Sequence, residues 1–193
     1  MAETVIRPAA KEDAAQIARL FMMAWPMESF LEMSPGMTED DFAGIIEGYV
    51  MAENTLYSFS NTIVAEVDGV IAGAINGYDG AEYGMLKKPV VDDFNRRFPG
   101  AASDFAAVKE TEAGEFYLDS IGVSPAMRSM GIGSMLFKAM LDRARKSGIG
   151  KAGLIVDFDK PKAEALYVRL GFRTVGTRDF LGHQMKHMQI DLD

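Results

Sequence analysis

The chain has 193 residues, 48% of them hydrophobic and 25% charged, which suits one globular domain with a sizeable core. It contains no cysteine, so disulfides, thiolate nucleophiles and cysteine-ligated metals are excluded. A net charge of −8 argues against a nucleic-acid surface and suits a cationic partner such as an amine. No apolar run approaches the roughly 18 to 20 residues that span a bilayer. The opening MAETVIRPAAKED has no apolar signal core, so a cytoplasmic protein without membrane contact is expected.

In chain order, Thr4 to Arg7 reads as a strand ended by Pro8. Lys11 to Met23 reads as a helix burying Ala14, Ile17, Ala18 and Phe21. Trp25-Pro26 interrupts it and Pro35-Gly36 marks a further loop. Thr38 with Asp41 resembles a capping box, opening a helix that carries Phe42, Ile45, Ile46 and Tyr49. Thr62 to Val67 and Val70 to Asn76 are strands joined at the Asp68-Gly69 turn signal. Gly77 to Gly114 is harder: it holds GYDGAEYG, a break at Lys87-Lys88-Pro89 and a helix around Val91 to Arg97. Long connections of this kind are often functional. With Asp79, Glu82, Asp92 and Asp93 it reads either as an acidic lid or substrate wall, or as a solvated insertion.

Glu115 to Lys146 is the organising stretch. A strand with Phe116, Tyr117, Ile121 and Val123 leads into a glycine-rich turn and then a helix with Met135, Leu136, Ala139, Met140 and Ala144 on one face. Unpaired N–H groups and the positive dipole end at this helix start suit a phosphate. Arg128, Lys138, Arg143, Arg145, Lys146 and Lys151 crowd nearby. Arg143 to Lys146 also suit a solvated helix C-terminus, whereas Arg128 does not. Lys151 to Phe158 is a strand and Pro161 to Leu170 a helix stopped by Gly171. Phe172 to Thr177 and Gln184 to Leu192 are the last strands, with Asp179 to His183 as the loop between them. His183 and His187 lie four apart, but Met185, Met188 and Ile190 indicate a strand, so no metal is expected there. The order predicts an α/β (α+β) domain over 1–193, a mixed, mostly antiparallel sheet with one parallel strand pair, flanked by helices.

Val123-Ser124-Pro125-Ala126-Met127-Arg128-Ser129-Met130-Gly131-Ile132-Gly133 resembles the acetyl-CoA-binding signature of the GNAT family of N-acetyltransferases. Ala163-Glu164-Ala165-Leu166-Tyr167-Val168-Arg169-Leu170-Gly171-Phe172 is similar to the family's second signature, and Ile6-Arg7-Pro8-Ala9 with Glu12-Asp13 to a common family opening. Competing phosphate loops fail on spacing. Position 136 is Leu where a dinucleotide fingerprint needs glycine, and no GxxxxGK[ST] occurs.

The resemblance implies acetyl-CoA as cosubstrate, no metal, and a primary amine as acceptor, on a small molecule or a peptide. It implies that the backbone N–H groups of Arg128, Ser129, Met130, Gly131, Ile132, Gly133 and Ser134 cradle the pyrophosphate. Ile121, Gly122 and Val123 would pair with the pantetheine arm, the strand splaying from Gly153 to Asp157 at a bulge expected at Asp119-Ser120. Asp119 is the expected base, with Glu115 as fallback. N–H near Ile121 or Gly122 would meet the oxyanion, and Tyr167 would protonate the thiolate. Lys160 stands where the family often has Asn, so it either reaches a CoA phosphate or leaves that contact absent. Glu28, Glu32 and the acidic insertion are expected to attract the amine. A non-catalytic acyl-CoA sensor or interaction module remains the alternative. The sequence is compatible with a homodimer and fixes neither oligomeric state nor an acyl group larger than acetyl.

Overall fold

The computed structural model describes residues 4–25, 27–32, 34, 36–99 and 103–192. Pro26 and Pro35, read as interruptions, lie outside the described residues. Strand β1 (Thr4–Pro8) leads through a 3-10 turn into helix α1 (Ala14–Met22). Arg7 ties this entry together. Its guanidinium donates to both Asp13 oxygens at 2.7 and 2.9 Å and to Glu66 at 2.8 Å, while Asp13 also accepts the Ala10 N–H. The family-like opening is therefore a structural clamp. Helices α2 (Met27–Glu32) and α3 (Glu39–Met51) follow, and the expected capping box starts α3: Asp41 N–H donates to the Thr38 hydroxyl and Thr38 N–H to the Asp41 carboxylate.

The hairpin of β2 (Thr62–Val67) and β3 (Val70–Asp79) forms as expected, with β3 three residues longer. The predicted break at Pro89 is overturned, because α4 runs unbroken from Tyr83 to Arg97. Proline removes one N–H, the one that would reach the Met85 carbonyl. Met85 lies on the exposed face, and packing of the buried Leu86, Val90 and Phe94 carries the helix through. A short α5 (Ser103–Ala107) precedes β4 (Phe116–Val123). Then come α6 (Ile132–Lys146), β5 (Lys151–Asp157), α7 (Pro161–Arg169), β6 (Arg173–Phe180) and β7 (His183–Asp191). The expected loop from Asp179 to His183 shrinks to Leu181-Gly182. Both have positive φ, 51° and 81°, as a tight two-residue hairpin turn requires.

The described strands form one sheet in the order β1-β2-β3-β4-β5-β7-β6, antiparallel except for β4 with β5. Alternation along the strands feeds two cores. Val64, Ala74, Tyr78 and Tyr117 face α1, α3 and α4, while Ile63, Ala65, Leu118 and Leu154 face α6 and α7. With both faces covered, β2 and β3 are buried almost throughout, which explains their near-continuous apolar runs.

At Gly122 the end of α1 lies directly against β4. A Cβ there would collide with the Leu20 carbonyl oxygen and carbon. Gly122→Ala should therefore push α1 off the sheet and destabilise the protein by on the order of 3 kcal/mol, read from urea unfolding. An unchanged midpoint would show that α1 yields freely.

Candidate active site

The site begins with a register mismatch. Ile75 pairs with Ile121 and Gly77 with Leu118, so Asp119 and Ser120 both face Asn76. This is the bulge expected from the sequence. Its extra N–H is not orphaned, since Ser120 N–H donates to the Asn76 side-chain oxygen at 2.9 Å. The Asn76 amide in turn donates to the Leu56 carbonyl at 2.8 Å.

The pairing of β4 with β5 stops after Phe116–Ala152 and Tyr117–Gly153. Beyond that point β5 continues along β7 as far as Asp157. The opening is a cleft of about 540 Å³, lined by Ile121 and Val123 on one side and Ile155, Val156 and Asp157 on the other. Gly133, Lys160 and Tyr167 also line it. Ser120 and Ser124 N–H groups point to β3, the latter to the Ala72 carbonyl at 2.8 Å. Alternation then turns Gly122 toward β3 and leaves the N–H and C=O of Ile121 and Val123 facing the gap. Of the two groups considered for an oxyanion, Ile121 N–H has the right direction.

At the mouth, Ser129 and Gly131 are left-handed, with φ of 66° and 77°, and Gly131 caps α6. Such turns gather N–H groups into an anion-holding nest. Of the row expected from Arg128 to Ser134, Arg128 N–H instead donates to the Pro125 carbonyl at 3.5 Å, while among the described residues the N–H groups of Ser129 through Ser134 have no acceptor within the chain; the next one, Met135 N–H, donates to the Gly131 carbonyl. Arg128, Met130 and Ser134 are exposed, whereas the Ile132 side chain is buried in the core. A Cβ on Gly133 would meet nothing nearer than a Val123 methyl at 4.0 Å, so the glycine leaves open space in the cleft. This donor row and strand edge fit a phosphate-bearing chain with amides along its arm. The predicted cationic patch is smaller than expected. Arg143 donates to the Ser60 carbonyl at 2.8 Å and Arg145 pairs with Asp142, because both lie along a helix with closer partners.

Tyr167 sits against Phe137 and Phe172, edge to face, with burial pushing its phenol up to about 12. Its helix ends in a Schellman turn, Phe172 N–H to the Tyr167 carbonyl and Gly171 N–H to that of Val168, both at 3.0 Å. Among the described residues its hydroxyl has no partner. Lys160 reaches the Ala24 carbonyl at 3.2 Å, bridging the cleft to the end of α1.

The Asp119 carboxylate accepts the Tyr78 hydroxyl at 2.6 Å and the Ser120 hydroxyl at 2.9 Å. Ser120 in turn accepts the Trp25 indole N–H at 3.0 Å. Burial raises the Asp119 pKa above the usual carboxylate range despite these donors. Glu115, the fallback base, does not line the cleft. It is buried over Gly153 and accepts Thr111 at 2.7 Å, His187 at 2.9 Å and Gln189 at 2.7 Å. Burial would raise its pKa, but these donors outweigh burial and hold it below the ordinary value. His187 thus belongs to a structural contact, and no group of side chains suited to a metal occurs among the described residues.

The acidic residues singled out in the insertion do not reach the cleft either. Asp79 caps a turn, Asp92 pairs with Lys88, and Asp93 holds Arg96, Arg97 and the Tyr49 hydroxyl. Glu82 is exposed, as are Glu28 and Glu32 on α2. The insertion instead contributes Phe105 and Glu110, which line the cleft with Trp25, Phe30 and Tyr57. Sequence reading missed Glu110. It lies among three glutamates in Lys109 to Glu115, and no spacing distinguishes it.

A splayed parallel pair with an N–H-rich helix start beside it defines an acyl-transferase architecture. The chain belongs to the GNAT acetyltransferase family, whose model matches residues 17–172, and is an acetyltransferase of that family. It is 31% identical to an acetyltransferase of known crystal structure, over 98% of this chain and 100% of that one, with a TM-score of 0.77. An N-acetyltransferase from Staphylococcus aureus Mu50 matches at 24% identity over 96% and 100% of the chains, with a TM-score of 0.80. A putative acetyltransferase from Salmonella typhimurium, solved with its cofactor acetyl-CoA, shares the fold at 20% identity over 99% and 95% of the chains, with a TM-score of 0.57. No curated protein sequence matches the chain. The GNAT family uses acetyl-CoA as acyl donor. No helix among the described residues is long and apolar enough to cross a membrane.

The structural role of Glu115 carries its own test. A depressed carboxylate contributes stability above its ordinary pKa, and this is lost as pH falls through the lowered folded value. Glu115→Gln should cost about 2 kcal/mol at neutral pH. In urea titrations its gap to the wild type should close as the pH drops well below the ordinary carboxylate range. A gap independent of pH would contradict an ionised Glu115.

Proposed function

We propose that the chain transfers an acetyl group from acetyl-CoA to a primary amine, the two substrates meeting in the cleft between β4 and β5. The observation that carries this reading is convergence: Tyr167, Asp119 and Gly133 at the start of α6 line one cleft, from three separate elements. Acetyl-CoA supplies an activated thioester, and the remaining tasks fall to the chain. N–H groups from Ser129 to Ser134 hold the diphosphate, with Arg128 adding charge. The free edge at Ile121 and Val123 pairs with the amides of the arm. Ile121 N–H faces the carbonyl oxygen that gathers charge during attack.

An alkyl ammonium titrates near ~10.4 and must lose a proton before it can attack. Asp119 is the group assigned to accept it. Burial makes this carboxylate a stronger base than an exposed aspartate. Tyr167, with its phenol near 12, stays protonated at neutral pH and can donate to the departing sulfur. Domain 1–193 acts as one unit in this reading, the insertion at 77–114 walling the acceptor end with Phe105 and Glu110. The aromatic walls of Trp25, Phe30 and Tyr57 suit a small amine better than a protein surface.

Free thiol release from acetyl-CoA, followed with a panel of amines, polyamines, amino acids and peptides, tests the roles. Tyr167→Phe and Asp119→Asn should each lower kcat on the order of 10²-fold with little change in melting temperature. Wild-type rates in both variants would remove both assignments.

A further inference from the structure

We propose that Glu110 is the second half of the acceptor site, forming with Asp119 a two-carboxylate unit that binds the substrate ammonium and takes one proton from it. This rests on the acetyl-transfer reading above and adds a residue that reading does not need. Glu110 reaches the cleft from the segment after α5, and Asp119 from the β4 bulge. Glu110 is only 7% exposed.

Buried carboxylates are ordinarily paired with a cation. Among the described residues neither of these is. Glu110 accepts the Tyr83 hydroxyl on one oxygen at 3.0 Å and the Tyr117 hydroxyl on the other at 2.9 Å. Asp119 is arranged alike, one hydroxyl per oxygen, from Tyr78 and Ser120. Every carboxylate oxygen therefore keeps acceptor capacity. The cation both feel is Lys87, but its ammonium donates to the Val108 carbonyl at 2.6 Å and the Tyr83 hydroxyl at 3.1 Å. Two buried carboxylates without an ion-pair partner among the described residues are complementary to an entering ammonium; Lys160, which also lines the cleft, donates to the Ala24 carbonyl.

The surroundings also set the proton affinity. Burial and the neighbouring Asp119 push Glu110 up to about 7, against the lowering pull of Tyr117, Tyr83 and Lys87. The titratable groups facing the pair are Tyr57, Tyr78, Tyr83, Tyr117 and Lys87. Burial raises the four phenols well above their ordinary range, so they stay neutral, and lowers Lys87. Strongly interacting carboxylates titrate as a unit, whose pKa values belong to the pair. The balance of the reaction is simple. The ammonium gives one proton to the pair, which passes it to solvent. The C–N bond forms and the C–S bond breaks, Tyr167 protonates the sulfur, and the second nitrogen proton restores Tyr167.

The test is the pH dependence of kcat/KM for an amine that the wild type acetylates. The wild type should show an acid limb near 7. Glu110→Gln should lose about 10²-fold on the plateau and move the acid limb down by more than about one unit, because it removes the carboxyl that burial and Asp119 push up to about 7. Glu110→Gln combined with Asp119→Asn should lose little more than either alone, as expected of residues acting together. Should Glu110→Gln fail to fold, Tyr117→Phe replaces it. Removing that hydroxyl must move the acid limb up, since its hydrogen bond lowers the Glu110 pKa. An unmoved acid limb, or a double variant losing the product of the single losses, overturns the proposal and leaves acetyl transfer standing. No thiol release with any amine overturns both.

Discussion

Two residues of β4 face one residue of β3, and the cleft depends on that mismatch. Without the extra residue, β4 would continue beside β5 and the sheet would close. The bulge twists β4 away after Tyr117 and aims Asp119 into the gap. Its stability rests on Asn76, which is fully buried and serves both sides: its oxygen takes the bulge N–H and its amide feeds the Leu56 carbonyl. Ser120 then turns its hydroxyl toward Asp119 while receiving Trp25 from the end of α1. One backbone irregularity thus opens the cleft and orders the carboxylate beside it.

The two ends of the cleft have opposite electrostatics. The α6 end presents N–H groups and the positive end of a helix dipole, whereas the other end presents two carboxylates walled by aromatic rings. In the proposed reading, an anionic donor and a cationic acceptor would thereby be sorted without long-range charge. This resolves the apparent conflict between a net charge of −8 and a phosphate ligand. In that reading backbone dipoles would do at the donor end what a basic patch was expected to do, while Arg143 and Arg145 make structural contacts.

Legibility in the sequence followed the range of the interactions. The strand, turn and helix from Glu115 to Lys146 were readable because glycine placement and periodicity act within a few residues. The same holds for the Thr38 cap and the stop at Gly171. The bulge at Asp119-Ser120 was expected through family resemblance, and the residue that satisfies it, Asn76, lies 44 positions away and left no local mark. Pro89 misled for the complementary reason. Its local cost is real, but Leu86, Val90 and Phe94 bury themselves against distant partners and override it. The acceptor end was least readable because it is assembled from the segment after α1, α2, the segment between α3 and β2, α5, the segment after α5 and β4, whose contacts no local pattern encodes.

Three glutamates within seven residues make the physical distinction plain. Glu112 is exposed and pairs with Lys109 and Arg178, an ordinary surface arrangement. Glu115 is buried, yet an imidazole, an amide and a hydroxyl all donate to it, so ionisation is favoured and the group locks β4 to β7 across Gly153. Glu110 is buried with phenols as its only donors among the described residues and Asp119 as its neighbour, so ionisation is disfavoured. Side-chain type and near-identical sequence position do not separate these cases; the number and kind of donors do. A carboxylate saturated with donors is a fastener, and one left short of positive charge is poised to bind a cation or exchange a proton. By that criterion the proposed acceptor end of the cleft is set apart by two buried carboxylates that have no ion-pair partner among the described residues.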